Sequence, residues 1–252
     1  MKTKLTKRII AAAAAMMLIS NLTFSQGAYV GIESGWGLSA GSQGIGVNST
    51  STTDEGVYGS FGEGLNSSLQ AGYMFSQHFG AELGFSYLVG KLFVVKDKTI
   101  PEYEFTQNFK GTAIRIIPAV KVVGSDGKIT PYAKFGFVMG IVTKVLREYW
   151  VTGGLYQYEY NGGLSMGWMG AFGLDFKMGD KMKLNAELNI INQSYGPDKY
   201  ENISKADGNP LDPTITFDDE VNSNASNTTL RPHLPFGSFG ISIGVIRKFG
   251  GK

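Results

Sequence analysis

From Gly163 to Ile191 apolar and polar residues alternate one by one. Leu164, Met166, Trp168, Phe172, Leu174 and Phe176 share one parity, interrupted only by Gly170. Ser165, Gly167, Met169, Ala171, Gly173, Asp175 and Lys177 occupy the other. After a turn at Gly179-Asp180-Lys181 the alternation resumes, with Leu184, Ala186, Leu188 and Ile190 opposite Asn185, Glu187 and Asn189. Strand side chains project to alternate faces, so this stretch predicts a β-hairpin with one apolar and one polar side. The apolar side is aromatic and free of charge for longer than the ~5–6 residues of a soluble strand. The polar side is small and charged. A wall between lipid and a tightly packed polar interior carries that pattern.

The same alternation predicts eight strands in all. The first runs from about Ala28 to Ala40, with Val30, Ile32, Trp36 and Leu38 outward and Tyr29, Gly31, Glu33 and Gly35 inward. A Ser/Thr/Gly-rich loop, Gly41 to Glu63, leads to the second, Leu65 to Phe75, which turns Leu69, Ala71, Tyr73 and Phe75 out and Gln70, Gly72 and Met74 in. The third, Phe79 to about Val95, has Leu83, Phe85, Tyr87 and Val89 outward and Glu82, Gly84 and Ser86 inward. A polar link at Lys96-Asp97-Lys98 precedes the fourth, Tyr103 to Val123. There Ile114, Ile116, Pro118, Val120 and Val122 oppose Ala113, Arg115 and Lys121. Pro118 lacks a ladder donor, so a bulge is expected at that point.

The fifth strand begins at Ile129, with Ala133, Phe135, Phe137, Met139 and Ile141 outward and Lys134, Gly136 and Gly140 inward. Strands six and seven are the hairpin just described. A polar segment, Gly196 to His233, precedes the eighth, Phe236 to Phe249, which turns Phe239, Ile241, Ile243 and Val245 out and Gly240, Ser242 and Gly244 in. Three links are short (Ser76 to His78, Ser125 to Lys128, Gly179 to Lys181) and the other four are long. Short periplasmic turns alternating with long external loops describe an all-β, eight-stranded antiparallel up-and-down transmembrane β-barrel with both termini in the periplasm. Glu33, Glu82, Arg115, Lys121, Lys134, Asp175 and Glu187 all fall on the inward parity. A one-residue slip would turn these charges to lipid, at about 2–4 kcal/mol for each Lys or Arg at mid-membrane. Inside, they are expected to pair. A barrel of this size is just filled by its own side chains, which predicts a plugged lumen.

Mean hydropathy is −0.05. That value does not argue against a membrane wall, because alternation averages to zero in any window. The chain holds 35 Gly and no Cys, which suits many strands with small inward positions and excludes disulfides and thiolate metal sites. Met1 to Ser25 reads as a secretory signal peptide. A basic start (Lys2 to Arg8) precedes an apolar core (Ile9 to Ile19), with small residues at Thr23 and Ser25 before a mature start at Gln26. That core is too short for the ~20 residues of a spanning helix. The barrel domain is therefore expected over residues 26–252. Loss of Lys2, Lys4, Lys7 and Arg8 takes the formal charge from +2 to −2, leaving no basic footprint for nucleic acid.

The strand Gln26-Gly-Ala-Tyr-Val-Gly-Ile and the closing strand Gly240-Ile-Ser-Ile-Gly-Val-Ile-Arg-Lys-Phe249 resemble small outer-membrane β-barrels of the OmpA, OmpX and opacity-protein type, the "porin family". The leader ending Phe24-Ser25-Gln26 resembles those of Bacteroidetes. The resemblance covers the mature chain. It implies outer-membrane localisation, a monomer surrounded by lipid and lipopolysaccharide, and recognition of the Phe249-terminated strand by the barrel-assembly machinery. Gly250-Gly251-Lys252 departs from the usual aromatic terminus. Nothing after Phe249 corresponds to the peptidoglycan-binding domain that such chains often carry.

Candidate chemistry is sparse. His78 falls in a periplasmic turn and His233 at the external end of strand eight; neither has the Ser two positions on that lipid-A deacylases carry. Asp218-Asp219-Glu220 shares a loop with His233 but reads as a solvated acidic run rather than a protease site. No catalytic, cofactor-binding or metal residue is predicted. The Gly196 to His233 loop holds seven carboxylates, including Asp207 and Asp212, without EF-hand spacing for calcium. Tyr149 to Tyr160 reads as a hairpin turning at Gly153-Gly154. Its strands would run about 23 residues, far beyond the ~9–11 that span a membrane. A Tyr-rich sheet should then protrude, with an edge able to take a partner strand; alternatively its aromatics form the interfacial girdle. The readings are a non-enzymatic barrel for envelope integrity or surface binding, a narrow channel for small solutes, and an envelope enzyme.

Overall fold

The alternating segments do form strands, and their polar faces dictate closure. In the computed structural model the described residues are 27–41, 43–100, 103–151, 154–204, 214–221 and 227–249. The expected leader (1–25) and expected mature start Gln26, the turn residue Gly153, the Asp207 to Asp212 stretch and Gly250 to Lys252 lie outside them. In chain order the strands are β1 (Ala28–Ser39), β2 (Gln43–Thr50), β3 (Asp54–Gly59), β4 (Gly64–Met74) and β5 (Phe79–Ile100). Then come β6 (Tyr103–Val123), β7 (Ile129–Val151), β8 (Gly154–Asn161), β9 (Leu164–Lys177) and β10 (Met182–Gly196). The last are β11 (Lys199–Asn202), β12 (Ile215–Asp218), β13 (Thr228–Leu230), β14 (Leu234–Pro235) and β15 (Ser238–Phe249).

Eight of these make the barrel, in the cyclic order β1-β4-β5-β6-β7-β9-β10-β15, all antiparallel. β15 returns to β1 in unbroken register from Ala28↔Phe249 to Ser39↔Ser238, which closes the cylinder. Closure pairs both edges of the sheet, the condition for crossing a membrane with strands. The outward faces carry Ile32, Leu69, Phe85, Phe135, Phe172 and Ile243, all exposed, while six of the seven inward charges are buried and Glu33 is half-buried. In the barrel itself, below the bulges described next, the predicted facing of all eight strands is therefore the observed one.

Several expectations are corrected. Gly41 to Glu63 is not a loop throughout: β2 and β3 pair as a hairpin, and β2 continues as a parallel neighbour of upper β5. Lys96-Asp97-Lys98 is not a link but part of β5. Strand six is two strands, β8 and β9, parted at Gly162 and Gly163, both with positive φ. Strand eight starts at Ser238; Phe236 lies before it, fully buried. Pro118 needs no bulge. The β5–β6 register runs straight through it, and only the β6–β7 ladder pauses at Ile117 and Pro118.

The bulges sit higher. One in β5 falls between Val89 and Leu92; another leaves Ile141 of β7 unpaired between the partners of Ile114 and Arg115. One extra residue reverses the facing of everything beyond it. Glu82, Ser86 and Leu88 face inward below the first bulge, and Phe93 and Val95 above it. Lys134 and Val138 face inward below the second, and Thr143 and Val145 above it. The barrel wall thereby continues upward as a crown, in the order β3-β2-β5-β6-β7-β8-β11-β12-β13, with a new set of residues facing in.

Candidate functional site

Two places gather chemistry-bearing side chains: the lumen and the crown. In the lumen, Lys134 of β7 is the hub. Its Nζ lies 2.8 Å from Glu82 Oε1 and 2.9 Å from Glu187 Oε2, and donates to Gln70 Oε1 at 2.9 Å. Each carboxylate takes a second donor, Tyr29 OH to Glu82 Oε2 at 2.7 Å and Tyr132 OH to Glu187 Oε2 at 3.0 Å. Glu33 accepts from Ser68 Oγ at 2.9 Å and Asn185 Nδ2 at 3.2 Å. Contributors come from five of the eight barrel strands (β1, β4, β5, β7 and β10), so the network laces the wall together across its diameter. Beside it remains a cavity of about 30 Å³, room for one water.

Above this level one side of the interior is apolar, with Ile117, Ala119, Val138, Met169 and Ile191 buried together, while Asn66, Ser86 and Asn189 face in beside them. Arg115 follows, 0 % exposed. Contrary to the expected pairing, it has no carboxylate partner among the described residues. Its Nη2 donates to the Phe236 carbonyl at 3.5 Å, while Nε and Nη1 are unpartnered. Over it, Phe61 and Phe236 reach in from the connections that lead into β4 and β15, on either side of β1, and meet at 5.8 Å, with Tyr195 edge-on to Phe236. Phe61 N donates to Pro235 O at 2.8 Å, so the two connections are tied to each other.

Of the seven inward charges read from sequence, six do meet an opposite charge or a neutral donor, and Arg115 does not. Lys183 was missed. It is buried and lies 3.6 Å from Asp175 Oδ2. Its odd position in β10, on the parity of Asn185 and Glu187, was the available signal. Tyr132 was missed as well, although it shares the inward parity of Lys134 and Gly136.

In the crown, rings from successive strands form a ladder. Phe105 meets Tyr149 at 5.2 Å, Tyr149 stacks on Tyr156 and Tyr158, Tyr158 stacks on Tyr200 at 4.8 Å, and Tyr160 reaches Phe217. These rings line the inner side, so the girdle reading does not hold for Tyr149, Tyr156, Tyr158 and Tyr160. The outer side carries a polar ladder, with Lys144–Glu159 at 2.8 Å, Gln157 donating to Glu148, and Lys199 paired with Glu201. The edge of β8 is not free for a partner strand either, because β11 occupies it from Lys199↔Asn161 to Asn202↔Tyr158. Burial pushes the Tyr200 phenol up to about 12, with Arg147 at 3.2 Å pulling the other way. Hydrogen bonds from Lys199 and Asn161 hold Glu201 below the usual carboxylate range.

The two histidines are placed apart. His78 stays in its turn, its Nδ1 2.9 Å from the Val123 carbonyl. His233 and Asp219 line one external cavity of about 300 Å³ that also contains Ser194. No hydrogen bond joins His233 to either of them. Asp219 lies 3.0 Å from Arg231 Nε, whose Nη1 holds Asp198 at 2.7 Å. Among the described residues no group of three or more His, Cys, Asp or Glu is placed to hold a metal ion.

A closed antiparallel cylinder with an apolar exterior, an ion-paired interior, short turns at one end and long connections at the other is an integral outer-membrane β-barrel. The chain matches the family described as the outer membrane protein beta-barrel domain over residues 10–212, and it belongs to that family. Its location is accordingly the outer membrane, in contact with membrane lipid. Among solved structures it is similar to the crystal structure of Neisserial surface protein A, with 11% identity over 88% of this chain and 97% of that one, at a TM-score of 0.40. No curated protein matches the chain significantly.

Proposed function

We propose that this protein is a non-enzymatic outer-membrane barrel with a plugged lumen, which strengthens the envelope and presents its crown for contact at the cell surface. The observation that carries the reading is the Lys134 hub. Its hydrogen-bond-length contacts to Glu82, Glu187 and Gln70 cross the lumen under an apolar layer and a pair of facing phenylalanines. That layer and the rings above it narrow the route open to water and ions. The crown supports the surface role: Tyr58, Trp150 and Leu230 stand more than half exposed on it, and aromatic residues are enriched where proteins bind. In this reading residues 1–25 direct export and are removed, the Phe249-terminated strand is handed to the assembly machinery, and the monomer sits in lipopolysaccharide.

Planar-bilayer recording on the purified protein tests the plug. The expected result is no stepwise current under conditions where an open porin conducts; sustained unitary currents would instead establish the channel reading. For the enzyme reading, the pair Asp219 and His233 is the motivating observation. Lipid-A mass spectrometry in a host without its own modifying enzymes is expected to show unchanged lipid A, since Arg231 engages the carboxylate. A new mass in that spectrum would overturn the non-enzymatic assignment.

A further inference from the structure

The periplasmic end of the lumen is built differently from its middle. A cavity of about 340 Å³ opens there, walled in part by Lys121, Lys183, Lys248, His78, Asp126 and Asp175. Asp175 Oδ2 lies 3.9 Å from Lys121 Nζ and 3.6 Å from Lys183 Nζ, and its Oδ1 has no hydrogen-bond partner among the described residues. Charge-assisted N–H···O contacts close at about 2.7–2.9 Å, the length seen around Lys134. Lys183 also comes no nearer than 3.7 Å to Asp126, which stands on an exposed turn. Lys121 also faces the rings of Tyr132 and Tyr29, at 4.1 and 5.0 Å, and lies in the field of the hub carboxylates Glu82 and Glu187. Lys248 makes no ion pair among the described residues.

Lys121, Lys183 and Asp175 are nevertheless at most 5% exposed. Buried ammonium groups need acceptors, and a buried carboxylate oxygen needs a donor. Three lysines against two aspartates leave the wall one positive charge in excess, and His78 adds none while neutral. The adjoining turns and strand ends add Lys128, Lys177, Lys181 and Arg247 against Asp180. Such a rim draws anions toward the opening.

We propose that this vestibule is a binding site for inorganic phosphate, whose oxygens accept from Lys121, Lys183 and Lys248 while its P–OH donates to Oδ1 of Asp175. The carboxylate then selects rather than repels. Inorganic phosphate keeps a proton at neutral pH and can satisfy Asp175. Sulfate and the phosphodiester of a lipid headgroup carry none, and would set one lone pair against another. The site is reached from the periplasm, so it stands whether or not the lumen conducts.

Titration calorimetry of the full chain in detergent micelles, in chloride buffer, tests this with inorganic phosphate and sulfate as probes and with phosphatidylglycerol doped into the micelles as competitor. Retention of the barrel is verified for each variant by heat-modifiable migration on gels. Saturable one-to-one phosphate binding is expected, with sulfate weaker by about tenfold or more, the scale of one charge-assisted hydrogen bond. Phosphatidylglycerol should not compete. Lys248→Gln, at the half-buried rim, should weaken phosphate by about tenfold. Asp175→Asn should narrow the gap between phosphate and sulfate, because an amide donates where the carboxylate only accepts. If Asp175→Asn does not fold, wild-type selectivity and Lys248→Gln decide the matter. Absence of saturable phosphate binding, equal affinity for sulfate, displacement by phosphatidylglycerol, or an unaffected Lys248→Gln variant would each overturn the proposal.

Discussion

Lys134→Met removes the hub of the lumen while keeping the length of the side chain. In the folded protein Lys134 holds Glu82 at 2.8 Å and Glu187 at 2.9 Å, and all three are at most 7% exposed. At an effective dielectric of ~20, one such pair is worth about 6 kcal/mol of Coulomb attraction at 2.8 Å. Desolvation of the three charges offsets much of that gross sum, and breaking a buried pair typically costs about 3–5 kcal/mol. The variant should therefore unfold at lower urea concentration, with stability down by about 3–5 kcal/mol, because two carboxylates stay buried without their cation. Tyr29 and Tyr132 still donate to them and keep the loss from growing further. The assay is reversible urea unfolding in lipid vesicles, followed by tryptophan fluorescence and gel mobility. Adding Glu82→Gln and Glu187→Gln to the same chain should recover part of the loss, since residues in one network do not act additively. A change under about 1 kcal/mol in the single variant, or a triple variant worse than the sum of its parts, would refute the reasoning.

Other outcomes follow from single positions. Ile243→Lys, on the lipid side of β15, should cost about 2–4 kcal/mol in the same unfolding assay, while the neighbouring Ser242→Ala, facing inward, should change little. Gly163→Ala should be strained, because φ there is +73° and a Cβ would lie 2.0 Å from the Gly196 carbonyl oxygen. Limited proteolysis is expected to cut its crown sooner than the wild-type crown while the barrel midpoint stays fixed. Tyr200, with its phenol raised to about 12, favours the folded crown fully below the unfolded value of ~10 and loses that contribution as pH climbs to about 12. Ultraviolet difference spectra of wild type against Tyr200→Phe should show the Tyr200 ionisation displaced upward from the ordinary tyrosine range.

What was legible in the sequence was whatever a period of two can carry. Trp168 against Met169, or Lys134 against Phe135, assigns a face residue by residue, because lipid and lumen differ so much in polarity that the wrong register is expensive. Even Lys183, overlooked beside the turn at Gly179 to Lys181, obeys that parity. β2 and β3 were hidden because Gly44, Gly46, Ser49 and Thr50 supply no alternation. Their strand character is imposed by pairing, including the amide of Lys96 donating to Asn48 Oδ1 at 2.8 Å. β11 to β13 are short for the same reason, held by β8 rather than by their own pattern.

The sequence by itself determined the barrel, its strand number, its register and the side of the wall on which each charge lies. Only the tertiary structure decided which charges meet. Lys134 finds Glu82 and Glu187 across the lumen, Arg115 is left facing the Phe236 carbonyl, and Asp175 meets two lysines at the longer distances of 3.6 and 3.9 Å. Facing is a local property, fixed by each residue's own parity. Contact across a cylinder depends instead on the stagger between strands far apart in the chain, and on bulges such as the one at Ile141 that reverse a face without marking the sequence.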